Sequence, residues 1–403
     1  VASTDSLIPG GRYHHRRDYM NFPSLNRKDL LYIAFPALPL KGISLEDNIL
    51  EAIAKKDYLI YTPYQNFAYV IKFLREAALD PKVKTIKITI YRLAKLSQVA
   101  SSLINAAKNG KKVLVQIELQ ARFDEENNIQ AAESLEKAGV QLIFGVPGLK
   151  VHTKICVIER EEGKKLMRYG FISTGNFNES TARIYTDYTL FTSHQKILKD
   201  VSKVFNFLSV NYKIKKYKHL IVSPHYTFST LIRLIEQEIE HAREGKKARI
   251  RLKLNNITNY KIISKLYDAS RAGVQIDMIV RGVCCLIPGV KGMSENIRLI
   301  SVVDKFLEHS RVYIFENNGD PQMYISSADW MTRNIYNRVE VACPILDKDL
   351  QQELLDTFMI SWNDNVKARL VNTNDQNDFV NSQGEAIRSQ WATYAYFKNK
   401  LSE

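Results

Sequence analysis

Val151-His152-Thr153-Lys154-Ile155-Cys156-Val157-Ile158-Glu159 and, 157 residues further on, Glu308-His309-Ser310-Arg311-Val312-Tyr313-Ile314-Phe315-Glu316 are two copies of one pattern. In each, a histidine is followed two residues later by a cation and seven residues later by a glutamate. The residues between are mostly β-branched or aromatic, which favours extended chain. Side chains alternate between the faces of a strand, so His152 and Lys154 share a face, as do His309 and Arg311. Glu159 has the opposite parity and reads as a supporting group. Each copy therefore offers an imidazole beside a cation.

The duplication extends in both directions. Thr62-Pro63-Tyr64-Gln65-Asn66-Phe67 and Ser223-Pro224-His225-Tyr226-Thr227-Phe228 each precede a helical pattern, Val70, Ile71, Phe73, Leu74 in one and Leu231, Ile232, Leu234, Ile235 in the other. Ser or Thr before Pro is a common helix start, so a helix is expected from there. Strands follow at 84–91 and 249–255, then helices at Gln98–Lys108 and 261–270 that end at Gly110 and Gly273, then strands at 113–119 and 274–280. After the histidines, Thr174-Gly175-Asn176-Phe177 is answered by Ser327-Ala328-Asp329-Trp330, and Thr181, Arg183 and Tyr185 by Thr332, Arg333 and Tyr336. Alternating strands and helices imply two duplicated α/β domains with mixed sheets, 46–215 and 216–365. Residues 1–45 are assigned to a preceding domain and linker, and 366–403 to a tail that becomes helical near 385. The chain opens on Val1 in what reads as mid-protein sequence (Ile8-Pro9-Gly10-Gly11-Arg12-Tyr13), so a preceding portion is expected.

Of the 403 residues, 45% are hydrophobic and 25% charged, the balance of a globular chain. No apolar run approaches the ~20 residues of a membrane span, and no signal-peptide pattern opens the chain. Cys156, Cys284, Cys285 and Cys343 include no C-x-x-C pair, which supports neither a zinc site nor a disulfide framework and suits a reducing, cytoplasmic setting. The net charge of +14 favours a polyanionic partner. No nucleic-acid-binding signature accompanies it, so a nucleic-acid-binding module ranks last among the readings.

Imidazole nitrogen can attack phosphorus, and a neighbouring cation can hold phosphoryl oxygens. His152 and His309 are singled out by the repeat. His14, His15, His194, His219, His225 and His241 lack that support and read as ordinary structural or surface histidines.

The H-x-K-x4-E stretch from His152 to Glu159, with Thr-Gly-Asn downstream, is similar to the phospholipase D superfamily, whose usual pattern is H-x-K-x4-D with G-S-x-N. The departures, Glu for Asp in both copies and Arg311 for the second lysine, resemble its polyphosphate kinase branch. So do 90–94 (IYRLA), 121–127 (ARFDEEN), 174–179, 280–282 (VRG), 311–317 and 326–334 (SSADWMTRN).

The resemblance implies two phospholipase D-like domains that share one site and work through a phosphohistidine. His152 would take the γ-phosphate of ATP, and His309 would serve as the second essential histidine near the phosphates. Lys154 and Arg311 would hold phosphoryl oxygens, and Tyr185 and Arg281 would contact the nucleotide. Arg92 and Arg122 match positions tied to Mg2+; arginine has no lone pair for a cation, so they would act through phosphates that carry the ion. Asp124, Glu125 and Glu126 lie nearby, and a solvated helix start explains them equally well. The implied reaction is reversible transfer from ATP to polyphosphate, with ATP/ADP and polyphosphate as partners. A homo-oligomer and peripheral membrane association are further implications. The rival is a phospholipase D-type phosphodiesterase or nuclease.

Overall fold

The structure, a computed structural model, describes Tyr19 and residues 22–94, 96–118, 125–210, 215–373, 377–380 and 384–402. Val1–Pro36 forms one compact unit and Ala37–Glu403 another. In the first, the described part is open chain with a single 3-10 turn, Lys28–Leu30, beside which Arg27 pairs with Asp29. Of the segment 1–45 set apart by sequence, Leu40 and Ile43 are core residues of the second unit.

Within the second unit two sheets repeat one plan. In the first, Val83–Ile90 pairs in parallel with Lys112–Ile117 and antiparallel with Lys154–Glu162. In the second, Arg249–Leu254 pairs in parallel with Gln275–Val280 and antiparallel with Arg311–Phe315. Both sheets are thus mixed, as the alternation of strands and helices requires. Helices Ala68–Leu79 and Gln98–Lys108 pack together over the first sheet, as Thr227–Arg243 and Tyr260–Arg271 do over the second. Their apolar faces build two separate cores, one around Phe73, Leu74, Ile86 and Leu103, the other around Leu231, Ile235, Leu252 and Leu266. Burying each such side chain is worth about 1.5–3 kcal/mol.

Two short parallel ladders join the halves. Leu307–Glu308, which leads into His309, pairs with Tyr185 and Thr186 of the first sheet. Arg338–Val339 pairs with Lys150–Val151, which leads into His152. Each histidine therefore stands in a break between a two-residue strand bonded to the other half and a long strand of its own sheet, Lys154–Glu162 or Arg311–Phe315. This corrects the expectation of one continuous strand through the motif. The helix starts also differ: Thr62 ends an edge strand, Pro63 and Ser223-Pro224 lie in the turns that follow the edge strands, and the helices begin later, at Ala68 and Thr227. The turns take those residues because Thr62 and Val222 are still bonded to neighbouring strands.

The tail contributes a strand, Ala368–Leu370, to the edge of the second sheet beside Ile297–Val302. Its helix, Ser389–Lys400, packs on helix Lys348–Trp362.

Phe73 is fully buried, its ring 5.1 Å from that of Phe171 and 6.0 Å from that of Phe191. Phe73→Ala is expected to cost about 3–5 kcal/mol in urea unfolding. A loss below about 1 kcal/mol would mean that the first core does not rest on this contact.

Candidate active site

The breaks in the two motifs bring the histidines to the carboxylates of the opposite halves. His152 Nδ1 lies 2.9 Å from both oxygens of Glu340, and His309 Nδ1 lies 2.9 Å from both oxygens of Asp187. Each carboxylate is fixed by a hydroxyl of its own half. Thr174 Oγ1 donates to Asp187 at 2.6 Å, and Ser327 Oγ donates to Glu340 at 2.5 Å. Asn334 Nδ2 adds a bond to Glu340 at 2.7 Å. Thr174 and Ser327 were matched in sequence, and here they do the same work. Gly175 is the neighbour that Asp187 requires: a Cβ there would stand 2.0 Å from Asp187 Oδ2.

Burial pushes His152 down to about 3, with Lys154 and Arg338 adding to the effect and Glu340 opposing it. His309 is lowered by the same combination of burial and a neighbouring cation, Arg311, against Asp187. Burial alone would raise the acids, but the bonds and positive charge around them hold Asp187 and Glu340 below their ordinary values. Both histidines are therefore neutral imidazoles that donate Nδ1–H to ionised carboxylates.

The two halves differ in what surrounds Nε2. Arg311 Nη1 lies 3.2 Å from His309 Nε2 and donates to His309 O at 2.8 Å. Asp329, held near 2 despite burial by Arg311 and by hydrogen bonds from Asn255 and Asn256, anchors that guanidinium at 3.2–3.3 Å. In the first half Asn176 stands where Asp329 would be. Lys154 Nζ turns back to the carbonyl of His152 and has no carboxylate at ion-pair distance among the described residues. No hydrogen bond from a described residue falls on His152 Nε2. Burial also pushes the Lys154 ammonium well down.

Tyr91 completes the first half. Its ring meets His152 edge-on at 5.0 Å, with Lys154, Lys150 and Arg92 over or beside it at 5.3, 5.4 and 5.6 Å. Tyr185 lies 5.1 Å from the His309 ring, and Arg281 is held by Asn255 Oδ1 at 2.8 Å, with Tyr185 and Arg311 among its electrostatic neighbours. Arg122 and Asp124 lie outside the described residues, as does the side chain of Glu125. Glu126 is exposed on helix Glu125–Lys137. Among the described residues no group of three or more His, Cys, Asp or Glu is placed to hold a metal ion. Glu159 and Glu316 pair with Arg168 and Arg251, each at 3.3 Å, and so support the strands. His194 caps a helix through Ile197 N–H, as an ordinary structural histidine would.

Sequence reading missed Asp187, Glu340, Tyr91 and Lys150. The first two were available as acids 35 and 31 residues after the histidines, inside the repeat.

Two measurements test this geometry. Gly175→Ala is expected to push Asp187 away, abolishing the downfield Nδ1 proton signal of His309 and sparing that of His152; an unchanged His309 signal would contradict it. Because unfolded imidazole titrates near 6.5 and His152 near 3, acid favours the unfolded chain. Stability is full above pH 6.5 and is lost as pH falls through that interval. The urea midpoint should therefore drop from pH 7 to pH 5, and drop less in His152→Gln. Equal drops would remove His152 from the account.

Two family models, described as polyphosphate kinase C-terminal domain 1 and C-terminal domain 2, match residues 48–214 and 220–390. The polyphosphate kinase of Vibrio parahaemolyticus is 49% identical over 99% of this chain and 58% of its own length. The crystal structure of polyphosphate kinase from Porphyromonas gingivalis superposes with a TM-score of 0.90 at 40% identity, covering 98% of this chain and 61% of that one. Phosphatidylserine synthase of Haemophilus influenzae, at 10% identity and a TM-score of 0.53 over 87% of this chain and 95% of that one, shares the fold alone. The chain thus spans somewhat less than two thirds of the polyphosphate kinases it matches. It belongs to the polyphosphate kinase family and carries that family's two C-terminal domains.

Proposed function

We propose that this chain carries the phosphotransfer centre of a polyphosphate kinase, which moves the γ-phosphate of ATP reversibly to polyphosphate through a phosphohistidine at His152. The observation that carries the reading is the crossed pair His152–Glu340. Nδ1–H is committed to the carboxylate, so the neutral ring presents Nε2 as its nucleophile. Attack by Nε2 on the γ-phosphorus forms the N–P bond as the bond to the bridging oxygen of ADP breaks. Glu340 steadies the positive charge that grows on the ring. An acceptor phosphate oxygen then attacks the same phosphorus, and the N–P electrons return to Nε2.

Lys154, with no carboxylate at ion-pair distance among the described residues, is suited to the charge of an incoming phosphoryl group. An arriving phosphate would hold its proton, reversing the effect of burial. Arg311 and His309 would stand at the oxygens of the leaving or entering phosphate, and Tyr185 and Arg281 at the nucleotide. Mg2+, when bound, offsets phosphate charge; we place it on the phosphates themselves, with Arg92 and Arg122 acting on those phosphates. The +14 charge suits ATP, ADP and polyphosphate as partners. No described helix is long and apolar enough to cross a membrane. A cytoplasmic homo-oligomer with peripheral membrane contact is part of the same proposal and rests on family membership.

The test is γ-labelled ATP in the whole protein. Label on a histidine and in acid-insoluble polymer is expected, with His152→Ala abolishing both. Glu340→Gln, which keeps shape but loses charge, is expected to slow labelling about 10²–10⁴-fold, the scale of a misoriented imidazole. Phosphodiester hydrolysis without label transfer would overturn the reading.

A further inference from the structure

His152 and His309 are not held in place by the same means. The His152 N–H and the Thr153 N–H both donate to the carbonyl of Val339, at 3.0 and 2.9 Å, a purely main-chain strap. The His309 N–H donates instead to a side chain, Thr186 Oγ1, at 3.1 Å. That hydroxyl gives its own proton to Glu308 Oε2 at 3.2 Å. Glu308 is buried, and the residue at its place in the first half is Val151. Its charge is met by the equally buried Lys253, whose Nζ is 2.7 Å from Oε2 and 3.0 Å from Tyr61 Oη.

The other oxygen of Glu308 is held from the tail of the chain. Gln390 Nε2 donates to Glu308 Oε1 at 2.7 Å and to the carbonyl of Phe306 at 2.9 Å, while Gln390 Oε1 accepts the Phe306 N–H at 2.8 Å. All the bonding capacity of one carboxamide nitrogen is thus spent on the three residues before His309. Two residues earlier, Arg388 grips Asp304 through two parallel bonds of 2.8 and 2.6 Å. The first turn of helix Ser389–Lys400 therefore clamps residues 304–308 at both ends. Gln390 is also the last residue matched by the second family model.

We propose that Gln390 is a positioning residue for His309, acting through Glu308 and Thr186, so that the C-terminal helix is a working part of the second histidine's site. Without Gln390, Glu308 keeps Lys253 but loses the bond that fixes its rotation. Thr186 then has no fixed acceptor, and the His309 main chain loses its anchor. A buried pair of this kind does more for orientation than for net stability. The consequence for turnover rests on the phosphotransfer reading; the consequence for the imidazole does not.

The experiment is histidine-labelled NMR of this chain, with labelling and turnover measured in the whole protein. Gln390→Ala and Gln390→Glu are expected to shift or broaden the Nδ1 proton of His309 and leave that of His152 in place, with the glutamate variant worse because it faces Glu308 with a like charge. Turnover is expected to fall about tenfold or more, with KM for ATP changing less than about twofold. Thr186→Val, nearly isosteric, cuts the same chain one link closer and decides the matter if the Gln390 variants do not fold. A folded variant with the wild-type His309 signal would overturn the proposal. If the wild-type protein takes no label from ATP, the functional reading fails, and the NMR comparison still judges Gln390.

Discussion

The exchange of carboxylates between the halves is the constraint on which the rest depends. Glu340 reaches His152 across 188 residues and Asp187 reaches His309 across 122. Neither imidazole finds its acid on its own sheet, so each motif must leave its sheet, cross to the other half and return. The two-residue ladders at Lys150–Val151 and Leu307–Glu308 are those crossings. The polar groups they bury are paired, and removing one partner of such a pair costs about 3–5 kcal/mol, far more than an exposed pair. The halves are held by polar bonds that also orient the reactive rings.

Duplication supplied two similar sets, and small substitutions made them unequal. Asp329 neutralises Arg311, while Asn176 in its place leaves Lys154 with no carboxylate at ion-pair distance among the described residues; Arg311 covers His309 Nε2, while no described residue donates to His152 Nε2. Glu308 and Lys253 replace Val151 and Thr89, and Thr89 makes only neutral bonds to the main chain around Thr153. The two halves are thus chemically unequal: in the second the imidazole and its neighbouring cation are bonded to each other, and in the first the cation turns back to the main chain.

Much of the fold was legible because local pattern and burial agree. Helix Gln98–Lys108 falls where its periodicity put it, and Gly110 and Gly273 take positive φ at the ends of the matching helices. The strands either side of those helices are within a residue or two of expectation. Reading failed where the chain changes partners. The apolar run through each histidine looks like one strand, because periodicity carries no sign that Val151 bonds to one sheet and Lys154 to another. The partner acids were hidden for the same reason: Asp187 lies in strand Tyr185–Thr192 and Glu340 between Arg338–Val339 and Val341–Pro344, and only the crossing makes them neighbours of the opposite histidine. Tyr91 was read only as part of a longer stretch and Lys150 lay outside every motif, and their convergence at the first half of the site depends on how the first sheet ends.

The long span between His152 and Glu340 also bears on how the protein is made. Domains tend to fold in order as the chain leaves the ribosome. The first sheet, with His152 just before its interior strand Lys154–Glu162, can form while the segment that carries Glu340 has yet to be translated. In that interval the imidazole has no carboxylate to fix its tautomer, and Lys150–Val151 has no strand to lie against. The nascent first domain can therefore fold before its histidine is oriented. His152 takes its fixed orientation only when the second domain docks and brings Glu340 to it.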